Sequence, residues 1–91
     1  MLQFDWDPAK ADSNSRKHGV GFPEAATAFG DPLSLTVPDP EHSTGEERFI
    51  LVGRTFQDRL VVVAHSEIGD TIRIISARLA TAAERRAYEH D

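Results

Sequence analysis

Hydrophobic and polar residues alternate from the start of the chain, with Leu2, Phe4 and Trp6 set against Gln3, Asp5 and Asp7. A period of two predicts a short strand. Asp7 then offers a cap, Pro8 suits a first helical position and Gly19 a stop, so Pro8–His18 reads as a helix. It is polar nearly all round, with Ala9 and Ala11 and little else apolar, and the succession Asp12, Ser13, Asn14, Ser15 has poor helical propensity. Something other than packing selects those residues. Phe22, Ala25, Ala26 and Phe29 fall at helical spacing and predict a second helix over Pro23–Phe29, ended by Gly30, Asp31 and Pro32.

The period then changes. Leu33–Val37 reads as a short edge strand between Pro32 and Pro38, and Asp39–Glu46 as a loop by composition. Three longer strands follow, Arg48–Thr55, Leu60–Glu67 and Thr71–Ala77. Their connections, around Gln57-Asp58 and Gly69-Asp70, are short enough for antiparallel hairpins. Thr81-Ala82-Ala83-Glu84 is a capping-box pattern that opens a last helix running to about Tyr88. The order β-α-α-β-β-β-β-α predicts an α+β fold whose helices cover one face of an antiparallel sheet. At 91 residues, the chain supports one domain, 1–91.

The strands hold the informative anomalies. In strict alternation, one face of the last strand carries Ile72, Ile74, Ser76 and Arg78, and the other Thr71, Arg73, Ile75 and Ala77. Each face then mixes apolar residues with an arginine. Val61, Val63, His65 and Glu67 share a face opposite Leu60, Val62, Ala64 and Ser66, while Arg48, Ile50, Val52 and Arg54 share a face of their own strand. Any one of these arginines reads as an ordinary solvent-facing charge. Four of them across a run of three adjacent strands suggest a cationic patch.

Charge distribution sharpens that picture. The net charge is −5, which argues against a polyanionic partner. Yet residues 23–47 carry −6 with no base, whereas residues 48–91 hold seven arginines and carry +1. Arginine's planar fork suits phosphate. Nucleic-acid binding therefore remains open through a local patch.

His18, at the end of the polar helix, either complements the helix dipole or transfers protons. His65, among valines, reads as a packed sheet residue, and His42 and His90 fall in a loop and the tail. Trp6 is either a core anchor or a stacking surface, and Tyr88 either packs on the sheet or offers its hydroxyl near it. No two histidines sit at metal-ligand spacing, and neither G-x-S-x-G nor a P-loop motif occurs. With no cysteine there is no disulfide scaffold, thiolate zinc site or cysteine nucleophile. No apolar run approaches the roughly 18–20 residues of a membrane span, and the N-terminus does not resemble a signal peptide. A cytoplasmic protein is expected.

Trp6-Asp7-Pro8-Ala9-Lys10, then Asn14 and Lys17-His18-Gly19-Val20, resembles the opening signature of BrnT-type toxins of bacterial type II toxin–antitoxin systems. Phe22, Glu24-Ala25, Phe29 and Asp31-Pro32 continue it in order. Glu47-Arg48, Gly53, the run Ile72-Arg73-Ile74-Ile75-Ser76-Ala77-Arg78, then Glu84-Arg85 and Tyr88 complete it. The chain departs at Pro23, where the family usually has an acidic residue, and in a longer stretch over residues 38–45.

The resemblance implies a RelE-like fold and a ribonuclease that inhibits translation. It also implies a BrnA-like antitoxin of ribbon-helix-helix type, a toxin–antitoxin heterotetramer, and operator DNA contacted only through the antitoxin. RNA can be cut without a metal or cofactor by attack of a ribose 2′-OH on the adjacent phosphate, given proton-transfer groups and cations. On that reading Arg73 and Arg78 stabilise the phosphate, with Arg48 or Arg54 assisting, and His18 and Lys10 transfer protons or position substrate. Trp6, Lys17 and Tyr88 are the further substrate-binding candidates. The competing class is a non-enzymatic protein-binding module or corepressor, for which the arginines would meet an acidic partner. A DNA-binding domain in its own right fits less well, because no helix is basic enough for a major groove.

Overall fold

Three long strands, β3 (Arg48–Arg54), β4 (Leu60–Ile68) and β5 (Thr71–Leu79), form an antiparallel meander at the centre of the protein. The computed structural model describes residues 2–42 and 45–90. The chain enters as β1 (Gln3–Asp5) and continues through helices α1 (Pro8–His18) and α2 (Phe22–Thr27), the latter extended by a 3-10 turn over Ala28–Gly30. Strand β2 (Leu35–Pro38) and a 3-10 turn at Pro40–His42 lead into the meander, and helix α3 (Ala82–Glu89) comes after it. The loop expected over Asp39–Glu46 thus contains a short turn, and its residues 43 and 44 lie outside the described residues. The five strands form one sheet in the order β1-β5-β4-β3-β2.

The sheet departs from the expected antiparallel arrangement at one edge. β1 runs parallel to β5, pairing Gln3, Phe4 and Asp5 with Thr71, Ile72 and Arg73. Helix α1 sets this direction, because it occupies the rest of the same β5 edge. Asn14 of α1 donates through Nδ2 to the Ala77 carbonyl at 2.8 Å and accepts the Ala77 N–H on Oδ1 at 3.1 Å. A chain that leaves β1 toward that point must run along β5 in the same sense.

Strict alternation along β5 is also corrected. Between Ala64 and His65 the register shifts, so that His65 faces Ile74 while Ala64 faces Ser76, and Ile75 is the extra residue of a bulge. One inserted residue moves everything beyond it to the other face. Ile72, Ile74 and Ala77 consequently share the buried face, and Arg73, Ser76 and Arg78 the opposite one. The bulge separates the apolar residues from the arginines.

The buried face packs under α2 and its extension. Val20, Phe22, Ala25, Ala28, Leu51, Val61, Val63, Ile72, Ile74 and Ala77 form the core, with Phe4, Trp6 and Phe29 against it. Gly53 is required here, since a Cβ would lie 3.0 Å from the Ala28 carbonyl oxygen. His65 is fully buried on this face, edge-on to Phe29 at 4.8 Å and stacked on Phe49 at 5.8 Å, with Nε2 2.9 Å from Glu67 Oε2.

The helices do not all cover one face, contrary to expectation. Arg54 and Arg78 alternate onto the face opposite Leu51 and Ala77, and both contact α3. The α3 helix therefore covers one end of the second face, where Leu60, Val62 and Tyr88 are buried apart from the main core. Such partial cover leaves the remainder of that face open.

Candidate active site

Helix α1 is built by its ends rather than by an apolar stripe. Asp7 caps it by accepting the Ala9 N–H at 2.8 Å, Pro8 occupies the first turn, and Gly19 ends it at φ 71°. Arg16, Lys17 and His18 occupy the last turn, where the helix dipole favours cations. Asn14 is its one buried residue, and besides Ala77 it serves the Val20 carbonyl at 3.0 Å. That amide explains the polar, poorly helical sequence: the helix is held by hydrogen bonds to a strand edge.

This placement makes α1 one wall of a groove. A cavity of about 350 Å³ is lined by Ala9, Lys10, Ser13, Asn14, Lys17, His18, Ile75 and Ser76. A second, of about 300 Å³, is lined by Asp39, His42, Arg48, Ile50, Ala64, Ile75 and Ser76. The two meet over Ile75 and Ser76, at the bulge. Lys10, Lys17 and His18 thus face one half of the groove, with Arg48 and His42 on the other half. His42 Nδ1 lies 2.9 Å from Asp39 Oδ2, which fixes the ring. In sequence His42 sits in a polar loop with nothing to single it out.

Cross-strand pairing arranges the open face in rows. Arg48, Ser66 and Arg73 form one row; Ile50, Ala64 and Ser76 form the next and the groove floor; Val52, Val62 and Arg78 form a third. Small residues at Ala64, Ser66 and Ser76 keep the floor low. Arg73 pairs with Asp5 at 2.6 Å across the β1 edge.

Arg78 is committed to α3. Its two terminal nitrogens each lie 2.8 Å from a carboxylate oxygen of Glu84. This fork holds the Glu84 carboxyl down to about 2 against the opposing effect of burial, and raises the Arg78 guanidinium. Glu84 also closes the capping box by accepting the Thr81 N–H at 2.8 Å.

Arg54 and Tyr88 gather elsewhere, around Asp31. Tyr88 donates to Asp31 Oδ2 at 2.6 Å, the Arg54 N–H donates to the same oxygen at 2.8 Å, and the Arg54 guanidinium lies 5.7 Å from the Tyr88 ring centre. Burial alone would raise the Asp31 carboxyl; the donors from Tyr88, Arg54 and Leu33 outweigh it and hold it low. The same hydrogen bond raises the Tyr88 phenol. Trp6 packs edge-on to Phe22 at 6.0 Å, half-buried against the core.

One supporting network pairs Glu24 with residues that nothing in the sequence joins to it. Buried Glu24 accepts from Arg59 Nε at 2.9 Å and from Thr55 Oγ1 at 2.8 Å, and Arg59 Nη2 also donates to the Gly19 carbonyl at 3.0 Å. The β3–β4 hairpin is thereby tied to the α1 terminus beside His18. The Arg59 hydrogen bonds hold the Glu24 carboxyl below its usual range.

A larger cavity, about 380 Å³ between β1 and α2, is lined by Leu2, Phe4, Ala26, Thr27, Phe29 and Gly30 and holds no ionisable side chain. Among the described residues, no three His, Cys, Asp or Glu side chains are grouped to hold a metal ion, and no helix is long and apolar enough to cross a membrane. The groove over Ser76 is where Lys10, Lys17, His18, His42 and Arg48 come together.

No curated protein matches the chain. Its fold is similar to that in the crystal structure of the Brucella abortus ribonuclease toxin BrnT, with a TM-score of 0.69 over 89% of this chain and 99% of that one, at 20% identity. The family model described as ribonuclease toxin, BrnT, of type II toxin–antitoxin system matches residues 6–84, a span that includes both α1 and the strands of the groove. The chain belongs to the BrnT family of ribonuclease toxins of type II toxin–antitoxin systems.

Proposed function

We propose that the protein cuts RNA in the groove over Ile75 and Ser76, without a metal, and that this arrests translation. The observation that carries the reading is the convergence of Lys10, Lys17 and His18 from α1 with Arg48 and His42 on one concave surface. In the reaction a ribose 2′-oxygen attacks the adjacent phosphorus as its proton passes to a base. The P–O5′ bond breaks, the leaving 5′-oxygen takes a proton from an acid, and the products carry a 2′,3′-cyclic phosphate and a 5′-hydroxyl. His18 and His42, on opposite halves of the groove, carry the imidazoles that take the roles of base and acid. Lys10 and Lys17 supply positive charge where the transition state concentrates negative charge, and Arg48 extends the positive surface beside it.

On this reading Arg73 stands at the groove's rim, while Arg78, Arg54, Tyr88 and Trp6 hold the fold. Membership of the family implies an antitoxin partner. We take that partner to be a BrnA-like ribbon-helix-helix protein that forms a heterotetramer with the toxin and contacts operator DNA. A RelE-like grouping and a cytoplasmic site of action belong to the same proposal. The test is growth of a bacterium after induced expression. The wild-type chain is expected to arrest growth, whereas His18→Ala and Lys10→Ala, made soluble to the same level, do not. Arrest by both variants would remove the groove from the mechanism and favour a protein-binding role for this surface.

A further inference from the structure

On the part of the sheet that α3 leaves open, Arg48 of β3, Ser66 of β4 and Arg73 of β5 are direct cross-strand partners. Side chains at paired positions point to the same face, so a hydroxyl stands between two guanidinium-bearing side chains. Neighbouring strands lie ~4.8 Å apart, which puts the two arginine backbones ~10 Å apart with the serine midway. Ser66 is only 1% exposed, and its Oγ has no hydrogen-bond partner among the described residues. A buried hydroxyl without a partner destabilises the fold, and alanine would fill this position without that cost. A ligand oxygen over this row would give the hydroxyl the partner it lacks. Arg73 gives Nη1 to Asp5 in a pair that is about half exposed. Contacts of this kind are worth little in water, and a guanidinium has further donors to give.

We propose that Arg48, Ser66 and Arg73 form a phosphate-binding subsite, which holds the substrate phosphate next to the one that reacts. The inference rests on the reading of the groove as the site of RNA cleavage. The groove floor, Ile50, Ala64 and Ser76, is the adjacent same-face row. Along β3 and β4 it lies two residues away, about 7 Å, a step comparable with that between successive phosphates of a single strand. Two guanidiniums take the charged oxygens of a phosphate in their fork geometry, and the Ser66 hydroxyl donates to another of its oxygens. The ligand reaches that hydroxyl by parting the two long side chains that flank it.

The test uses the full chain and a single-stranded RNA, with Ser66→Ala, Arg73→Gln and, as a charge control on α3, Arg86→Gln. Binding is read by fluorescence anisotropy across a salt series, cleavage as KM and kcat, and folding by thermal unfolding. Ser66→Ala is expected to melt no lower than the wild type yet bind RNA about 3–10-fold more weakly, through the loss of one charge-assisted hydrogen bond. Its KM rises by the same factor, while kcat stays within about twofold, because the contact is uniform between ground and transition states. Arg73→Gln lowers the slope of log affinity against log salt by about 0.7, the value for one phosphate contact on a single strand; Arg86→Gln leaves it alone. Unchanged RNA affinity in Ser66→Ala would overturn the proposal. So would a fall in kcat at constant KM, which would put the row in the reacting centre. Weakened binding in a protein that cuts no RNA would support the subsite and remove the nuclease reading, so the two failures are distinguishable.

Discussion

The Asn14 side chain satisfies both backbone groups of Ala77, 63 residues away, at 2.8 and 3.1 Å. An amide on a helix thus takes the place of a strand at the β5 edge beyond β1. This contact holds Lys10, Lys17 and His18, on the same helix, against Ser76. Asn14→Leu strands the Ala77 N–H and C=O and the Val20 carbonyl, and is expected to cost about 2–4 kcal/mol in urea unfolding. Asn14→Asp keeps the acceptor for the Ala77 N–H but sets a buried carboxylate oxygen against the Ala77 and Val20 carbonyls, and is expected to cost at least as much.

Much of this architecture was legible in the sequence. The α1 limits come from Asp7, Pro8 and Gly19, and the α3 start from Thr81 and Glu84, because capping is local chemistry. The bulge was not legible: Ile75 is apolar and β-branched like Ile72 and Ile74, so nothing in the period marks it as the extra residue. Without it, Arg73 and Arg78 fall on opposite faces and the open face cannot be recognised. Asn14, and the Glu24–Arg59 pair, act across 63 and 35 residues, so their roles appear only when the chain is folded. For the site, residues on one helix were found together because they share a local motif. His42 needed the fold to bring it across from another strand's approach.

The Arg78–Glu84 fork makes a pH-dependent contribution to stability. The folded Glu84 carboxyl titrates at about 2 against an ordinary 4.5. A depressed carboxyl stabilises the fold above its unfolded value, and that stability is lost as pH falls from about 4.5 toward 2. Glu84→Gln is expected to lower stability by about 1–2 kcal/mol at pH 6, after allowance for solvent screening, with the difference closing toward pH 2. Urea unfolding of both proteins across this range checks it.

Tyr88→Phe removes the donor to Asp31 and leaves the ring under Arg54. The expected loss is about 1–2 kcal/mol, as for a partly buried hydrogen bond to a charged acceptor. The Asp31 carboxyl should move up, toward its ordinary value, in a carbon-detected NMR titration. Since Tyr88 lies outside the groove, the folded variant should cut RNA at the wild-type rate at low temperature; a large fall in turnover would return Tyr88 to the site.

RNA cleavage in the α1–β5 groove by 2′-oxygen attack leaves its signature in the chemistry of the cut ends. Purified protein is incubated with RNA in excess chelator, beside His18→Ala, His42→Ala and a substrate lacking the 2′-hydroxyl. The expected result is 2′,3′-cyclic phosphate and 5′-hydroxyl ends, no cleavage of the 2′-deoxy substrate, and a fall of at least about a hundredfold in the histidine variants, the usual scale of a lost general acid or base. Cleavage that persists on the 2′-deoxy substrate, or at full rate in both variants, would contradict it.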